Sequence, residues 1–235
     1  MFEFLTNTKI FGIEIYEILI WFLIYGVIGW IFESSLRSIA DKKFVNRGFL
    51  FGPFIPIYAF GITGFVFLLN PLYTLPPIHF TLAGMPQGYQ EFTFEYKYYL
   101  IMLGGMVISS ILEYVVHFSM EKLFNQHWWD YTPYKYNTKG RVCFSITFCW
   151  GALSIAAVHF IHPLIGKNIS DLLPKKAGFV IILIAYSLLL IDVILSNIAA
   201  TKKKKKLEAE AAQSEGEVEK EKEKEKEKEK EKEGV

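Results

Sequence analysis

The sequence predicts an all-α integral membrane protein, a polytopic bundle of about five transmembrane helices. One observation is a set of continuous apolar runs, each near the roughly 20 residues with which a helix crosses about 30 Å of hydrocarbon. Another is the charge: the last 34 residues, from Lys202, hold 12 Lys and 12 Glu, which leaves 13 of the 25 basic and 12 of the 24 acidic residues for the first 201. That charge density is too low for a soluble domain of this length.

The five spans are predicted at about 18–40, 49–69, 98–120, 144–165 and 177–200. The runs are continuously apolar rather than alternating, which favours helices over the strands of a membrane barrel. Residues 1–17 lack the basic start and the small-residue cleavage site of a signal peptide. We therefore predict that 1–17 form an external, interfacial lead-in to a transmembrane domain over 18–201.

The basic residues predict the orientation, because cytoplasmic loops carry an excess of Lys and Arg. They gather after spans one, three and five: Arg37, Lys42, Lys43 and Arg47; Lys122, Lys135, Lys139 and Arg141; and Lys202 to Lys206. The loop after span four, with three lysines, is the exception. We expect a multi-pass protein of the bacterial cell membrane with the amino terminus outside and the carboxy terminus in the cytoplasm.

The tail, 202–235, differs in composition from the rest of the chain. Its five consecutive lysines directly follow a span, where they would contact anionic lipid headgroups. The alternating Glu and Lys residues that follow cannot bury a core, so we expect a disordered segment or a frayed helix. Recruitment of a partner by the tail is an open alternative.

A weak internal repeat relates spans one and two to spans three and four. Aligning 29–38 with 109–118 places Glu33 on Glu113 and Arg37 on His117, so that each span carries an acid one turn before a basic or protonatable residue. Further on, 46–53 falls on 138–145, and 52–61 matches 144–153 loosely. Two units of the same sense predict a parallel repeat with its axis along the membrane normal.

The acidic residues of the spans predict a shared polar layer. Glu33, Glu113 and Asp192 each lie 15 residues after the start of their span, at the same depth near the cytoplasmic face. Intramembrane acids usually face a bundle interior or a water-filled cavity and mark a pathway. The candidate layer therefore comprises Glu33, Arg37, Glu113, His117 and Asp192, although local pairing of each acid at the interface is the alternative.

The second cytoplasmic loop holds the remaining candidate residues. Trp128, Trp129, Asp130 and Tyr131 favour an aromatic belt at the headgroups, and a lid over the polar layer or a docking surface is the functional alternative. Arg47 and Arg141 are candidate contacts for an anion or a lipid headgroup. His159 and His162 stand three apart without an evident third ligand, so no metal is predicted. No cofactor, catalytic residue or nucleic-acid partner is predicted either.

Two motifs resemble a known family. One runs from Asn46 to Tyr58 (NRGFLFGPFIPIY), after GWIFES, and the other from Trp128 to Gly151 (WWDYTPYKYNTKGRVCFSITFCWG). Together, over about residues 17–200, they resemble the bacterial membrane proteins described as "Putative ABC-transporter type IV", or CmpB-like, permeases. The resemblance implies a multi-span permease component in the plasma membrane. It implies neither a substrate nor catalytic residues.

The sequence contains no phosphate loop of the form G-x-x-x-x-G-K-[S/T], so an ATP-driven transporter would carry its ATPase on another chain. Residues 119–141 are, besides the tail, the sizeable candidate for a docking element for that subunit. Five spans also favour a homo-oligomer or a second membrane subunit. We predict a permease component that is not an enzyme. Two alternatives remain: a non-catalytic assembly or sensing protein, and an intramembrane enzyme acting on lipid phosphates.

Overall fold

The computed structural model describes residues 1–81 and 91–233, and within them five helices are long and apolar enough to cross a membrane. Their bounds are Ile15–Asp41, Pro56–Tyr73, Lys97–Phe124, Phe144–Leu172 and Lys175–Glu210. The predicted class, a polytopic helical membrane protein with five spans, is confirmed.

The elements follow one another along the chain as a series of long helices separated by short hairpins. They are α1 (Phe2–Asn7), β1 (Lys9–Ile10), β2 (Ile13–Glu14), α2 (Ile15–Asp41), α3 (Pro56–Tyr73), β3 (Ile78–Thr81), β4 (Glu91–Phe94), α4 (Lys97–Phe124), β5 (Asn137–Thr138), β6 (Val142–Cys143), α5 (Phe144–Ala156), a π-helical segment (Ala157–Lys167), α6 (Asn168–Leu172) and α7 (Lys175–Glu233). The strands form the antiparallel pairs β1–β2, β3–β4 and β5–β6.

Helix α2 begins at two acidic residues that interrupt the apolar run. The Glu17 carboxylate accepts the backbone N–H of Glu14 at 3.1 Å, which satisfies a donor that the first turn leaves unpaired. The Glu14 carboxylate forms an ion pair of 2.7 Å with Lys175 at the start of α7. These acids therefore start one span and connect it to another.

Helix α3 begins later than the hydropathy predicts, at Pro56 rather than near residue 49. Proline at the first helical position loses no hydrogen bond, because that N–H has no partner within the helix. The preceding residues, 44–55, form an irregular segment that folds back against α2. Ser34 of α2 accepts the Arg47 backbone N–H at 3.1 Å, and the Gly26 carbonyl accepts that of Ile55 at 3.0 Å.

Helix α3 lies at the centre of the bundle and packs against α2, α4 and the π-helical segment. The core joins these four elements through Trp21, Tyr25, Ile62, Phe65, Val66, Leu69, Ile101, Ala157 and Val158. Small residues allow close approach at the helix crossings. A Cβ on Gly29 would overlap Tyr58 of α3, and one on Gly105 would overlap Ser154 of α5.

Helix α7 lies at the periphery, since only 11% of its most apolar window is buried. Its exposed apolar side chains include Ile184, Leu188 and Ile191, as expected of a helix that faces lipid. The helix continues past the lysines through the tail to Glu233, and residues 234–235 lie outside the described part of the chain.

Candidate functional site

Two cavities lie between two helix–loop–helix units. We call α2, the loop 42–55 and α3 the first unit, and α4, the loop 125–143 and α5 the second unit. The central cavity has a volume of about 580 Å³ and the loop cavity of about 510 Å³. Both are lined by Glu33, Ile57, Tyr58, Trp129 and Tyr131, so they are neighbouring parts of one space.

Glu33 contributes the carboxylate of the first unit to this space. The Tyr58 hydroxyl donates a hydrogen bond of 2.9 Å to Glu33 Oε1, and Arg47 Nε lies 3.6 Å from Glu33 Oε2. The side chains of Arg47 and Glu33 are 42% and 34% exposed, so the ion pair borders the cavity rather than the core. The Glu33 charge is therefore balanced by an arginine.

Glu113 contributes the carboxylate of the second unit to the central cavity. The residue is 3% exposed, and its Oε1 accepts hydrogen bonds of 3.1 Å from both the Tyr131 hydroxyl and the Trp150 indole. Glu113 Oε2 is buried without a hydrogen-bond partner among the described residues. A buried polar atom of this kind calls for a ligand, an ion or a water molecule.

The partners predicted one turn after each acid lie elsewhere. Arg37 Nε pairs with Asp41 at 2.9 Å, and the cation beside Glu33 is Arg47 instead. His117 Nε2 is 3.1 Å from His127 Nδ1, in the following loop. Neither Arg37 nor His117 is among the described residues that line the two cavities.

Asp192 is also separate from the other two acids. Its Oδ1 accepts the backbone N–H of Phe51 at 2.9 Å, and its Oδ2 accepts that of Gly52 at 2.7 Å. Ser196, one turn further along α7, donates to Oδ1 at 3.1 Å. Asp192 borders a third, apolar cavity of about 680 Å³ between α2 and α7. It therefore holds the irregular segment before α3 in place and does not reach the space of Glu33 and Glu113.

The aromatic residues of the second loop line the cavities. Trp129 and Tyr131 line both, and Trp128 lines the loop cavity, where its ring centroid lies 5.5 Å from that of Phe49 in the first loop. The Trp129 indole donates to the Arg141 carbonyl at 2.9 Å. Burial and then the neighbouring Glu113 carboxylate raise the pKa of the Tyr131 hydroxyl, which therefore stays protonated as a donor.

Asp130 organises the turn of this loop and is not among the described residues that line the central or the loop cavity. Its Oδ1 accepts the Thr132 hydroxyl at 2.5 Å and the Thr132 backbone N–H at 2.8 Å. These two hydrogen bonds lower the pKa of the Asp130 carboxyl. Gly140 lies against this turn at a φ of +69°, and a Cβ there would be 2.6 Å from Asp130 Oδ1, so the turn requires glycine.

Arg141 is held by protein groups at the end of α4. Its Nη2 and Nε lie 2.7 and 3.1 Å from Glu121 Oε2, and Nη1 donates to the Tyr114 hydroxyl at 3.0 Å. The hydrogen bonds to Glu121 raise the pKa of the Arg141 guanidinium. Of the two candidate anion contacts, only Arg47 borders the cavities.

His159 and His162 do not share a ligand site. His162 Nδ1 is 2.8 Å from the Tyr25 hydroxyl in the core, whereas His159 packs against the rings of Tyr73 and Tyr98. The π-helical segment turns the two rings to different neighbours.

Sequence reasoning missed the two donors from the second helix of each unit, Tyr58 and Trp150. An aromatic residue in an apolar span gives no sequence signal of function, since packing against neighbouring helices accounts for its presence. The loose alignment of 52–61 with 144–153, however, places Tyr58 on Trp150. Each of them donates to the carboxylate of its own unit.

The fold and the site define a polytopic helical membrane protein with a carboxylate-lined cavity. A family model described as "Putative ABC-transporter type IV" matches residues 20–197, and the chain belongs to this family. No curated protein and no solved structure matches the chain.

Proposed function

We propose that this chain is the permease component of a bacterial ABC-type transporter and that its central cavity binds an amphipathic, aromatic or aliphatic cation. The observation that carries the proposal is the buried, unpartnered Glu113 Oε2 in a largely apolar cavity. An acid in a membrane span is costly and marks a substrate or ion pathway by default.

The charges around the cavity favour a cation. Glu33 is balanced by Arg47, while the hydrogen-bond partners of Glu113 are the neutral Tyr131 and Trp150. The ionised pair of acids would therefore leave one negative charge without a compensating cation near the cavity. The rings of Tyr58, Trp129, Tyr131 and Trp150 among its lining residues suit a cation held by π faces.

The position of the site supports a transporter with a separate ATPase. The loop cavity lies at the end of the helices that carries the loops 42–55 and 125–143, which the basic residues predict to be cytoplasmic. The central cavity adjoins it and extends between the spans as far as Ile62 and Ile161. The exposed side chains of Lys135 and Tyr136 provide a surface on the second loop for that subunit. A homo-oligomer or a second membrane subunit completes the proposed assembly.

The alternative of an enzyme acting on lipid phosphates finds less support. It needs both arginines to contact the phosphate, and Arg141 is already bound by Glu121 and Tyr114. Any lipid phosphate at the cavity would therefore meet Arg47 next to the Glu33 carboxylate, which repels it.

The transporter assignment is tested by co-purification. The chain, isolated from its native membranes in mild detergent after chemical cross-linking, is expected to bring down an ATPase subunit, with cross-links to the lysines of the loop 125–143. Recovery of the chain without any ATPase, under conditions that preserve a known transporter complex, would contradict the assignment.

The cation site is tested with tetraphenylphosphonium, a bulky aromatic cation, by quenching of tryptophan fluorescence, since Trp129 and Trp150 line the cavity. Glu113→Gln should weaken its binding at least about 10-fold, or about 1.4 kcal/mol, because the carboxylate has no cation of its own. Glu3→Gln, in the exposed lead-in, is the matched control and should bind like the wild type. Equal affinity of wild type and Glu113→Gln would exclude a cation site at this carboxylate.

A further inference from the structure

A second cluster of polar side chains lies at the end of α4, beside the loop cavity. His117, Glu121 and His127 each present a nitrogen or oxygen atom, and these atoms all lie within 4.8 Å of one another. His117 and Glu121 are one helical turn apart on the same face of α4. Asn125 adopts a left-handed conformation with a φ of +52°, which turns the chain so that His127 returns to this face.

The two imidazoles face each other at the separation of two ligands on one metal ion. His117 Nε2 lies 3.1 Å from His127 Nδ1. Two nitrogen ligands at about 2.0–2.1 Å from a tetrahedral zinc ion are about 3.3–3.4 Å apart. A metal ion therefore needs only a small outward movement of the rings to replace the hydrogen bond between them.

Arg141 holds the Glu121 side chain in a position from which it could serve as a third ligand. Arg141 Nε and Nη2 both donate to Glu121 Oε2. Glu121 Oε1 has no hydrogen bond within the part of the chain that the structure describes. Carboxylate ligands are commonly fixed in this way by a hydrogen bond to their other oxygen. The positive charge of Arg141 also offsets the negative charge of Glu121. The two imidazoles are therefore expected to contribute most of the affinity for the metal ion.

The surroundings resemble those of an open metal site. His117 is 6% exposed and packs edge-on against the Trp129 ring, at 5.5 Å between centroids, whereas His127 is exposed. One side of the cluster is thus buried against an aromatic ring, and the other is open to an ion from solvent. Two His and one carboxylate with a free position suit Zn²⁺ and related divalent transition metals.

We propose that His117, Glu121 and His127 bind a divalent transition metal ion, with Zn²⁺ as the fitting probe. The ion would connect helix α4 to the loop that carries Trp128, Trp129 and Tyr131, and so hold in place this part of the lining of the two cavities. The evidence for this metal site does not rest on the proposed transport function, and its test uses metal binding and loop protection alone.

The test is a Zn²⁺ titration of the full-length chain, purified without a histidine tag, in competition with a chromophoric chelator. One Zn²⁺ per chain is expected. Removal of a residue that only hydrogen-bonds to a metal ligand weakens metal binding about 10–100-fold. His127 is itself a proposed ligand, so His127→Ala should weaken Zn²⁺ binding at least about 10-fold. His127 is exposed, so its replacement leaves the fold intact. Glu121→Gln should weaken binding less, and His79→Ala, outside the cluster, is the matched control.

A second readout measures the loop itself. Addition of Zn²⁺ should slow amide hydrogen exchange in residues 125–136 of the wild type and of His79→Ala, and leave exchange in His127→Ala unchanged. The proposal is overturned if wild type and His127→Ala bind Zn²⁺ with the same affinity. It is overturned equally if bound Zn²⁺ leaves exchange in this loop of the wild type unaltered.

Discussion

Each of the two helix–loop–helix units contributes one carboxylate to the central cavity, but the two carboxylates have different surroundings. Glu33 in the first unit is about one third exposed and lies beside Arg47. Glu113 in the second unit is almost fully buried and receives hydrogen bonds from two neutral side chains. The first unit thus holds its acid as half of an ion pair, and the second unit holds an acid without a compensating cation.

The loops account for this difference. The first loop is short and brings its arginine back to α2, where Ser34 accepts the Arg47 backbone N–H. The second loop is longer and brings the Tyr131 hydroxyl to Glu113, while its own arginine is bound to Glu121 near the carboxy-terminal end of α4. The position of each acid along its helix therefore sets its depth in the predicted bilayer. The loop after that helix determines whether a cation lies beside the acid. The acid without a cation is the better candidate for contact with a charged ligand.

The difference between the surroundings of Glu33 and Glu113 can be tested by removing one tyrosine hydroxyl from each unit. Tyr131→Phe removes a donor from Glu113, whose buried carboxylate keeps only Trp150, and should cost about 1–3 kcal/mol of unfolding free energy. Tyr58→Phe removes a donor from Glu33, which keeps Arg47, and should cost about 0.5–1.5 kcal/mol. Thermal unfolding in detergent measures both.

Tyr136→Phe is the control for these two variants, because Tyr136 lies in the same loop as Tyr131 and is 84% exposed. It should match the wild type. If Tyr58→Phe proved more destabilising than Tyr131→Phe, the two acids would not differ as their neighbours indicate.

The pH dependence of stability provides a second test of the same difference, with a smaller expected effect. The pKa of Tyr131 is raised in the folded state, so its contribution to stability is complete below the ordinary tyrosine pKa of about 10 and is lost as pH rises above that value. Between pH 8 and pH 11 the unfolding temperature of Tyr131→Phe should therefore fall less than that of wild type or Tyr136→Phe. An equal fall of the unfolding temperature in all three proteins would mean that the pKa of Tyr131 is the same in the folded and the unfolded state.

The sequence predicted the fold well because the bilayer imposes strong constraints. A span needs a long apolar run, and the five runs are unmistakable in composition. The start of α3 was less predictable, since residues 49–55 are as apolar as the helix that follows and only Pro56 marks its first turn. Hydropathy measures apolarity, whereas the backbone of this segment is held by groups distant in sequence, Asp192 and Gly26.

The site was predictable in part. Glu33 and Glu113 were selected because acids are rare in apolar spans, and both line the central cavity. The pairing of Glu33 with Arg37 was expected from helix spacing, but the arginine that lies beside it is Arg47. Asp192 shares only their predicted depth, and depth carries no information about which way a helix faces.

The sequence by itself determined the class of protein, the number of spans and the family, because each follows from local composition and motif. Only the tertiary structure decided that Glu33 and Glu113 face one cavity and that Asp192 holds a loop elsewhere. It also brought His127 back to His117 and Glu121. The physical reason is that the rotation of each helix and the path of each loop result from packing between elements far apart in the chain, which no local pattern encodes.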